Sequence, residues 1–215
     1  MRLRVAIGLT FILIGLVVLG YNQIMQQSYS FEERSSEIEN FNQMSAGETP
    51  IPPGSFVRYW QDDEAWKNVA YFEGTISDSG SGLCIAASIA SDISQEYLTP
   101  VDLITLMEND YQIIDYSSEI EMLTGYLSNT YARSFSEKYL DKDRALQELS
   151  EGKCLICCAT GQVGDQDYSN QTILLFGLEE DRLNLYNPKY SLVPVLTLDN
   201  FETLTFEYFI SMNRG

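Results

Sequence analysis

A serine lies between two glycines where a polar loop gives way to an apolar stretch rich in small residues. Residues 78–88 read Asp-Ser-Gly-Ser-Gly-Leu-Cys-Ile-Ala-Ala-Ser, and the serine is Ser81. The apolar residues that follow recur at helical spacing, which predicts a buried helix over about residues 82–91. The first N–H groups of a helix are unpaired and favour negative charge. A nucleophile at position 81 would be activated by that helix terminus.

The absence of histidine limits what Ser81 can do. The chain contains none, and a serine or cysteine nucleophile near neutral pH needs a base such as imidazole to take its proton. A Ser–Lys pair would need Lys67, Lys153 or Lys189 beside Ser81, and the sequence does not bring one there. Cys84, one helical turn further on, favours packing over reaction. An enzyme with an altered site, using Cys84, stays the alternative.

The segments on either side of Ser81 contain further polar residues in a recognisable order. Upstream, residues 58–68 read Arg-Tyr-Trp-Gln-Asp-Asp-Glu-Ala-Trp-Lys-Asn and contain Gln61. Downstream come Gly-Lys-Cys at 152–154, Asn-Gln-Thr at 170–172 and Tyr-Asn-Pro at 186–188. This order resembles the papain-like cysteine peptidase family thirty-nine, the bacteriocin-processing, double-glycine leader peptidase type, over residues 56–215.

The resemblance implies a papain-like fold and a degenerate site. It aligns Gln61 with the oxyanion-hole glutamine, Ser81 with the nucleophilic cysteine, Gln171 with the histidine and Asn187 with the residue that orients it. Because Ser81 and Gln171 depart from the family pattern, we expect no catalysis. The four polar side chains are then expected to bind a peptide or protein partner. A structural accessory of a membrane transporter is a further alternative.

Composition and cysteine spacing narrow the range of ligands. The chain has 215 residues, a formal net charge of −18 and a pI near 4.1, which argues against nucleic acid because phosphate binding needs a basic surface. Cys154, Cys157 and Cys158 alternate across a predicted strand, which does not suit a zinc site. We expect no metal and no cofactor. The four cysteines are expected to be buried thiols, or to include a disulfide from Cys84 to a strand cysteine.

The N-terminal stretch is typical of a membrane anchor. Residues 5–21 are apolar and nearly uncharged, follow Arg2 and Arg4, and as a helix would extend about 26 Å. The basic residues before the span predict a cytoplasmic N-terminus and a domain outside the cell. The expected organisation is a tip and anchor over residues 1–21, a stalk with a proline-rich linker over 22–55, and the peptidase-like domain over 56–215.

The elements that must position these residues are predicted as helices first and strands afterwards, an α+β pattern with an antiparallel sheet. A short strand at 56–60 is expected to deliver Gln61, with Trp66 in the core. Helices are expected after Thr99, from residue 117 and over 141–149. Strands are expected at 154–159, 172–178, 182–186, 192–196 and 206–212, with a polar loop at 161–169.

Overall fold

Helices precede a single antiparallel sheet along the chain. The computed structural model describes residues 56–72, 74–110, 118–189 and 196–213. Within them an α+β architecture is present, as the order of the sequence patterns predicts. A two-stranded hairpin opens the fold, formed by β1 (Ala70–Tyr71) and β2 (Gly74–Thr75).

In the described residues five helices follow the hairpin before the main sheet begins, and a short sixth comes late in the chain. Two of their starts carry capping hydrogen bonds: Thr99 and Asp102 bond each other's backbone N–H groups, and the Asp141 side chain accepts from the Arg144 N–H. A one-turn helix, α1 (Ile76–Ser79), leads into them. The others are α2 (Ser81–Ser94), α3 (Pro100–Asp110), α4 (Glu119–Tyr131), α5 (Lys142–Ser150) and α6 (Leu198–Thr203).

The main sheet in the described residues has five antiparallel strands in the order β6-β5-β4-β3-β7. The long strands β3 and β4 form a hairpin at its centre, and β7 returns to pair with β3. Their register places Cys157 opposite Ile173 on one side and Phe209 on the other. The bounds are β3 (Cys154–Val163), β4 (Gln166–Glu179), β5 (Arg182–Tyr186), β6 (Leu196–Thr197) and β7 (Thr205–Met212).

Both faces of the sheet are covered along β3, because all of residues 154–159 are buried. Helix α5 packs against β3, β4 and β7, and Leu149 and Phe209 belong to the apolar cluster beneath it. Helix α2 packs against β4, α3 and α4. Residues 81–91 of α2 are all buried, so this helix is enclosed on every side and not on the one face that the apolar spacing predicts. Alanine and serine at its surface let the neighbours approach that closely.

Two local predictions are wrong. Residues 56–60 form no strand, and the polar stretch 161–169 is not a loop, because β3 and β4 continue through it to a turn at Gly164 and Asp165. Residues 199–203 belong to helix α6, whose Thr197 hydroxyl accepts from the Asn200 N–H. The strand expected at 192–196 lies almost entirely outside the described residues. Trp66 is buried as expected.

The membrane prediction concerns residues that the structure does not describe. Residues 5–21, together with the stalk and linker at 22–55, lie outside the described ranges. Among the residues that are described, no helix combines the length and apolar character needed to cross a bilayer.

Candidate functional site

Gln61 lies at the centre of a buried polar cluster. Its side-chain N–H donates to the Ser77 carbonyl at 2.7 Å, and its side-chain oxygen accepts from Gln171 Nε2 at 3.3 Å. Its backbone N–H donates to the Pro188 carbonyl at 3.0 Å. Gln61 thus joins α1, β4 and the segment that follows β5. The first and the last of these contacts, at Ser77 and Pro188, are more than a hundred positions apart in the sequence. The structure brings the predicted residues 61 and 171 into direct contact.

Tyr186, at the end of β5, positions the segment that carries Gln61. Its hydroxyl donates to the Tyr59 carbonyl and accepts from the Tyr59 N–H at 2.9 Å. The backbone N–H and C=O of Tyr59 are therefore both hydrogen-bonded to the buried hydroxyl of Tyr186. This side chain substitutes for the ladder of a strand, which explains why residues 56–60 need no strand to deliver Gln61.

Asn187 follows Tyr186 directly and is 2% exposed. Its side-chain oxygen accepts from the Lys189 N–H at 3.0 Å, so the amide is oriented by the turn that it closes. Its Nδ2 is buried and has no hydrogen-bond partner among the described residues. A buried donor without a partner destabilises a fold by about 1–3 kcal/mol. Asn187 is connected to the cluster by the backbone, because the next residue, Pro188, accepts the hydrogen bond from the Gln61 N–H.

Ser81 is the first residue of α2, at the junction of loop and helix that the sequence predicts. It is 8% exposed, the least buried of the four predicted site residues. Its hydroxyl has no hydrogen-bond partner in the part of the chain that the structure describes. Neither of two lysines considered as a base is bonded to it: Lys67 pairs with Glu64 at 2.5 Å, and Lys153 pairs with Glu148 at 3.2 Å.

The glycines that flank Ser81 are required by two different contacts. A Cβ on Gly80 would lie 2.6 Å from both the carbonyl oxygen and Cγ2 of Ile76. A Cβ on Gly82 would lie 2.9 Å from Glu119 Oε1. The first glycine allows the backbones of α1 and α2 to approach closely, and the second admits a carboxylate to the start of α2.

Glu119 is a candidate functional residue that the sequence patterns did not indicate. It begins α4 and bonds to the first turn of α2, where the Leu83 N–H donates to it, while the Tyr71 hydroxyl donates at 2.8 Å. Burial raises the pKa of Glu119 from its ordinary value to about 7, although both hydrogen bonds lower it. This carboxyl therefore titrates near neutral pH. It lies beside Gly82, in the first turn of α2.

A cavity of about 510 Å³ opens beside Glu119. It is lined by residues from the first hairpin, from α1 and from the start of α4, namely Phe72, Gly74, Asp78, Ser79 and Glu119. The Phe72 side chain is 59% exposed, its ring packs edge-on against Tyr71 with centroids 5.0 Å apart, and its backbone is in the left-handed region. Two carboxylates and one exposed aromatic ring thus share one opening.

The cysteines are buried and free. Cys84 is fully enclosed inside α2, and burial raises its pKa well above the ordinary value, with Glu119 adding to the rise. Burial likewise raises the pKa of Cys157, and that of Cys158 to about 12. A thiol attacks as thiolate, so none of these three is a nucleophile at neutral pH in this conformation. The described residues contain no cluster of His, Cys, Asp and Glu that could hold a metal ion.

Glu119 and Tyr186 are the two site residues that the sequence patterns did not indicate. Glu119 opens a helix as an ordinary N-terminal acid, and only its packing on Gly82 distinguishes it. Tyr186 carried no signal beyond its place next to Asn187. The comparisons with known proteins add no assignment: no family model, no curated protein and no solved structure matches this chain.

Proposed function

We propose that this chain is a membrane-anchored, catalytically inactive peptidase-like domain of papain-like fold that binds a peptide or protein partner outside the cell. The observation that carries the proposal is the contact of Gln171 with Gln61, whose own side chain donates to the carbonyl of Ser77, four residues before Ser81. These are the residues that the resemblance to family thirty-nine aligns with catalytic positions. Their meeting across more than a hundred positions supports that alignment.

The chemistry of the cluster supports binding without cleavage. A papain-type reaction needs a thiolate beside an imidazole. Here the nucleophile position holds a hydroxyl without a base, the chain has no histidine, and the thiol of Cys84 lies enclosed with a raised pKa. The unpartnered Nδ2 of Asn187 is in keeping with an orienting amide that has no imidazole to orient.

The second candidate function is that of a structural accessory of a membrane transporter. The burial of the predicted site residues favours it. Gln61, Gln171 and Asn187 are 4%, 5% and 2% exposed, so they do not contact a partner unless the cluster opens. The cavity beside Glu119 favours the binding module, since it opens to the surface. If a co-purifying partner is lost on deletion of residues 5–21 but retained in Ser81→Trp, the structural candidate is favoured.

The proposal is tested by rebuilding the catalytic pair. Ser81→Cys places a thiol at a helix N-terminus, and adding Gln171→His supplies a cationic neighbour. In papain-type sites this pairing lowers the thiol pKa from about 8.5 to roughly 3–4. Iodoacetamide labelling at position 81, followed by peptide mass spectrometry across pH, should show labelling well below neutral pH in the double variant only. The single variant should label mainly above neutral pH.

The matched control is Ser81→Cys combined with Asn170→His. Asn170 is the neighbour of Gln171 in β4, but it is exposed and its side chain bonds Thr160. This control should label like the single variant. Equal profiles for all three variants would mean that position 171 does not face position 81 and would overturn the alignment. Rapid labelling of Cys84 in the unaltered chain at neutral pH would instead favour the enzyme alternative.

A further inference from the structure

The cavity beside Glu119 has a size and a lining that suit a small cationic group. Its volume of about 510 Å³ lies within the range of ligand pockets, about 300–1,000 Å³. Among the described residues, the lining includes the carboxylates of Asp78 and Glu119 and no basic side chain. The chain as a whole carries a net charge of −18, so the surrounding field also favours cations.

The two carboxylates are held in place by the fold and keep acceptor capacity. Asp78 Oδ2 accepts from both the N–H and the hydroxyl of Thr75, at 3.0 and 2.7 Å. Glu119 is held by Tyr71 and by the Leu83 N–H. A carboxylate offers about four lone-pair positions, so each group can still accept from a ligand ammonium.

Phe72 completes the lining with an aromatic surface. Its ring is exposed at the opening, and it packs edge-on against Tyr71, so its position is supported from behind. The face of an aromatic ring attracts an ammonium group by about 0.5–2 kcal/mol. Carboxylates together with an exposed ring are complementary to an alkylammonium, which has a charged head and an apolar stem.

We propose that the cavity lined by Phe72, Asp78 and Glu119 binds the ammonium group of an alkylamine, such as a lysine side chain or the N-terminus of a peptide. The inference deepens the proposed function by naming the chemistry that recognises the partner. It rests on that function only for the partner being a peptide, since the ammonium site itself depends on the cavity alone.

Binding should increase with pH as Glu119 ionises. The charged and titratable groups around Glu119 come from the elements packed against it. Lys138, whose ammonium donates to the hydroxyl of the adjacent Ser118 at 3.1 Å, is paired with Glu121 at 2.9 Å. The other groups are Tyr71, Asp78, Cys84, Cys158 and Tyr208. Burial raises the pKa of each of the two thiols and two phenols among them, so between pH 6 and pH 8 Glu119 is the group that titrates.

The experiment is a titration of the full chain with n-butylammonium, and with n-butanol as its uncharged counterpart, followed by saturation-transfer NMR. We expect the ammonium to bind and the alcohol not to, with affinity rising severalfold from pH 6 to pH 8. Glu119→Gln should lower the affinity at pH 8 by about tenfold and remove the pH dependence. Phe72→Ala should lower it by about threefold.

Matched controls come from elsewhere on the surface. Glu96→Gln neutralises an exposed carboxylate beyond the opposite end of α2, and Leu140→Ala removes the other large exposed apolar side chain. Neither should change the affinity. Equal binding of the amine and the alcohol, unchanged binding in Glu119→Gln, or no binding by the unaltered chain would each overturn the proposal.

Two further probes distinguish the sources of the ammonium. Nα-acetyl-lysine methylamide presents a side-chain ammonium, and alanine methylamide presents an α-ammonium. Binding of the first alone supports a lysine-bearing partner, and binding of the second alone supports a free N-terminus. Binding of neither, while n-butylammonium binds, would leave the ammonium site standing and contradict the peptide partner of the proposed function.

Discussion

At the scale of single residues, hydrogen-bond partners decide the charge of the buried carboxylates. Glu119 and Glu148 are both desolvated, which raises the pKa of each carboxyl. For Glu148 this is outweighed by hydrogen bonds from Tyr139, Ser211 and Lys153, so that its pKa is lowered overall. Glu119 has two neutral donors and no cation, and burial raises its pKa to about 7. Desolvation therefore dominates at Glu119, whereas at Glu148 the bonds from Tyr139 and Ser211, joined by Lys153, outweigh it.

Glu119→Gln should therefore change how stability depends on pH. Because the native state holds the Glu119 proton more tightly than the unfolded chain does, the stabilisation is fully present below about pH 4.5 and is lost as pH rises through 7. Across that window the stability of the unaltered chain should fall, relative to the variant, by on the order of 3 kcal/mol. Urea unfolding at several pH values measures the difference.

Glu148→Gln is the control of opposite sign. The lowered pKa of Glu148 contributes stability above the unfolded value, and that contribution is lost as pH falls below about 4.5. Parallel stability profiles for the unaltered chain and Glu119→Gln between pH 5 and pH 8 would contradict the account of Glu119.

At the scale of elements, the start of α2 is shaped by what approaches it. Gly80 packs against the backbone of Ile76 in α1, and Gly82 packs against the Glu119 side chain of α4. The two glycines look equivalent in the sequence. A flexible side chain can move away from an added methyl group, whereas backbone in a helix cannot. An alanine at position 80 is therefore expected to destabilise the fold more than an alanine at position 82.

Gly80→Ala and Gly82→Ala should then differ in kind. The first should destabilise the chain by about 2 kcal/mol at every pH, because it separates α1 from α2. The second should displace the Glu119 carboxylate and flatten the pH dependence described above, with a smaller loss of stability at pH 8. Urea midpoints at pH 5 and pH 8 for both variants provide the measurement. Identical pH profiles for the two would show that Gly82 does not admit Glu119.

At the scale of the whole molecule, the net charge and the N-terminal segment are the features that relate to the location of the domain. The described residues form one unit of helices followed by a five-stranded sheet, and the anchor predicted at residues 5–21 lies outside them. A net charge of −18 keeps such a domain soluble and steers cations towards it. Both effects are compatible with the proposed binding of a partner outside the cell.

Protease treatment of intact cells tests this arrangement. We expect the domain over residues 56–215 to be degraded, because Arg2 and Arg4 precede the apolar stretch at residues 5–21 and predict a cytoplasmic N-terminus. A tag at the N-terminus should be protected in the same cells and become accessible after lysis. A protected domain with an accessible N-terminal tag would reverse the topology.

The sequence by itself determined the α+β order, the junction at Ser81, the start of α3 after Thr99 and the lack of an imidazole base. Each of these is a local or compositional property: capping residues act within one turn, and apolar spacing reports a period. The same local rules failed at residues 56–60, where a strand was expected. The contacts that hold this segment come from Tyr186 and Pro188, far along the chain.

Only the tertiary structure decided which of these residues meet and which carboxyl is buried. Gln61 and Gln171 are 110 positions apart, and the resemblance to a family, not any periodicity, was the reason to pair them. Glu119 gave no signal, because its raised pKa depends on the distance from α4 to α2 and on the absence of a cation there. Desolvation depends on everything that surrounds a group, and a linear pattern reports only its neighbours along the chain.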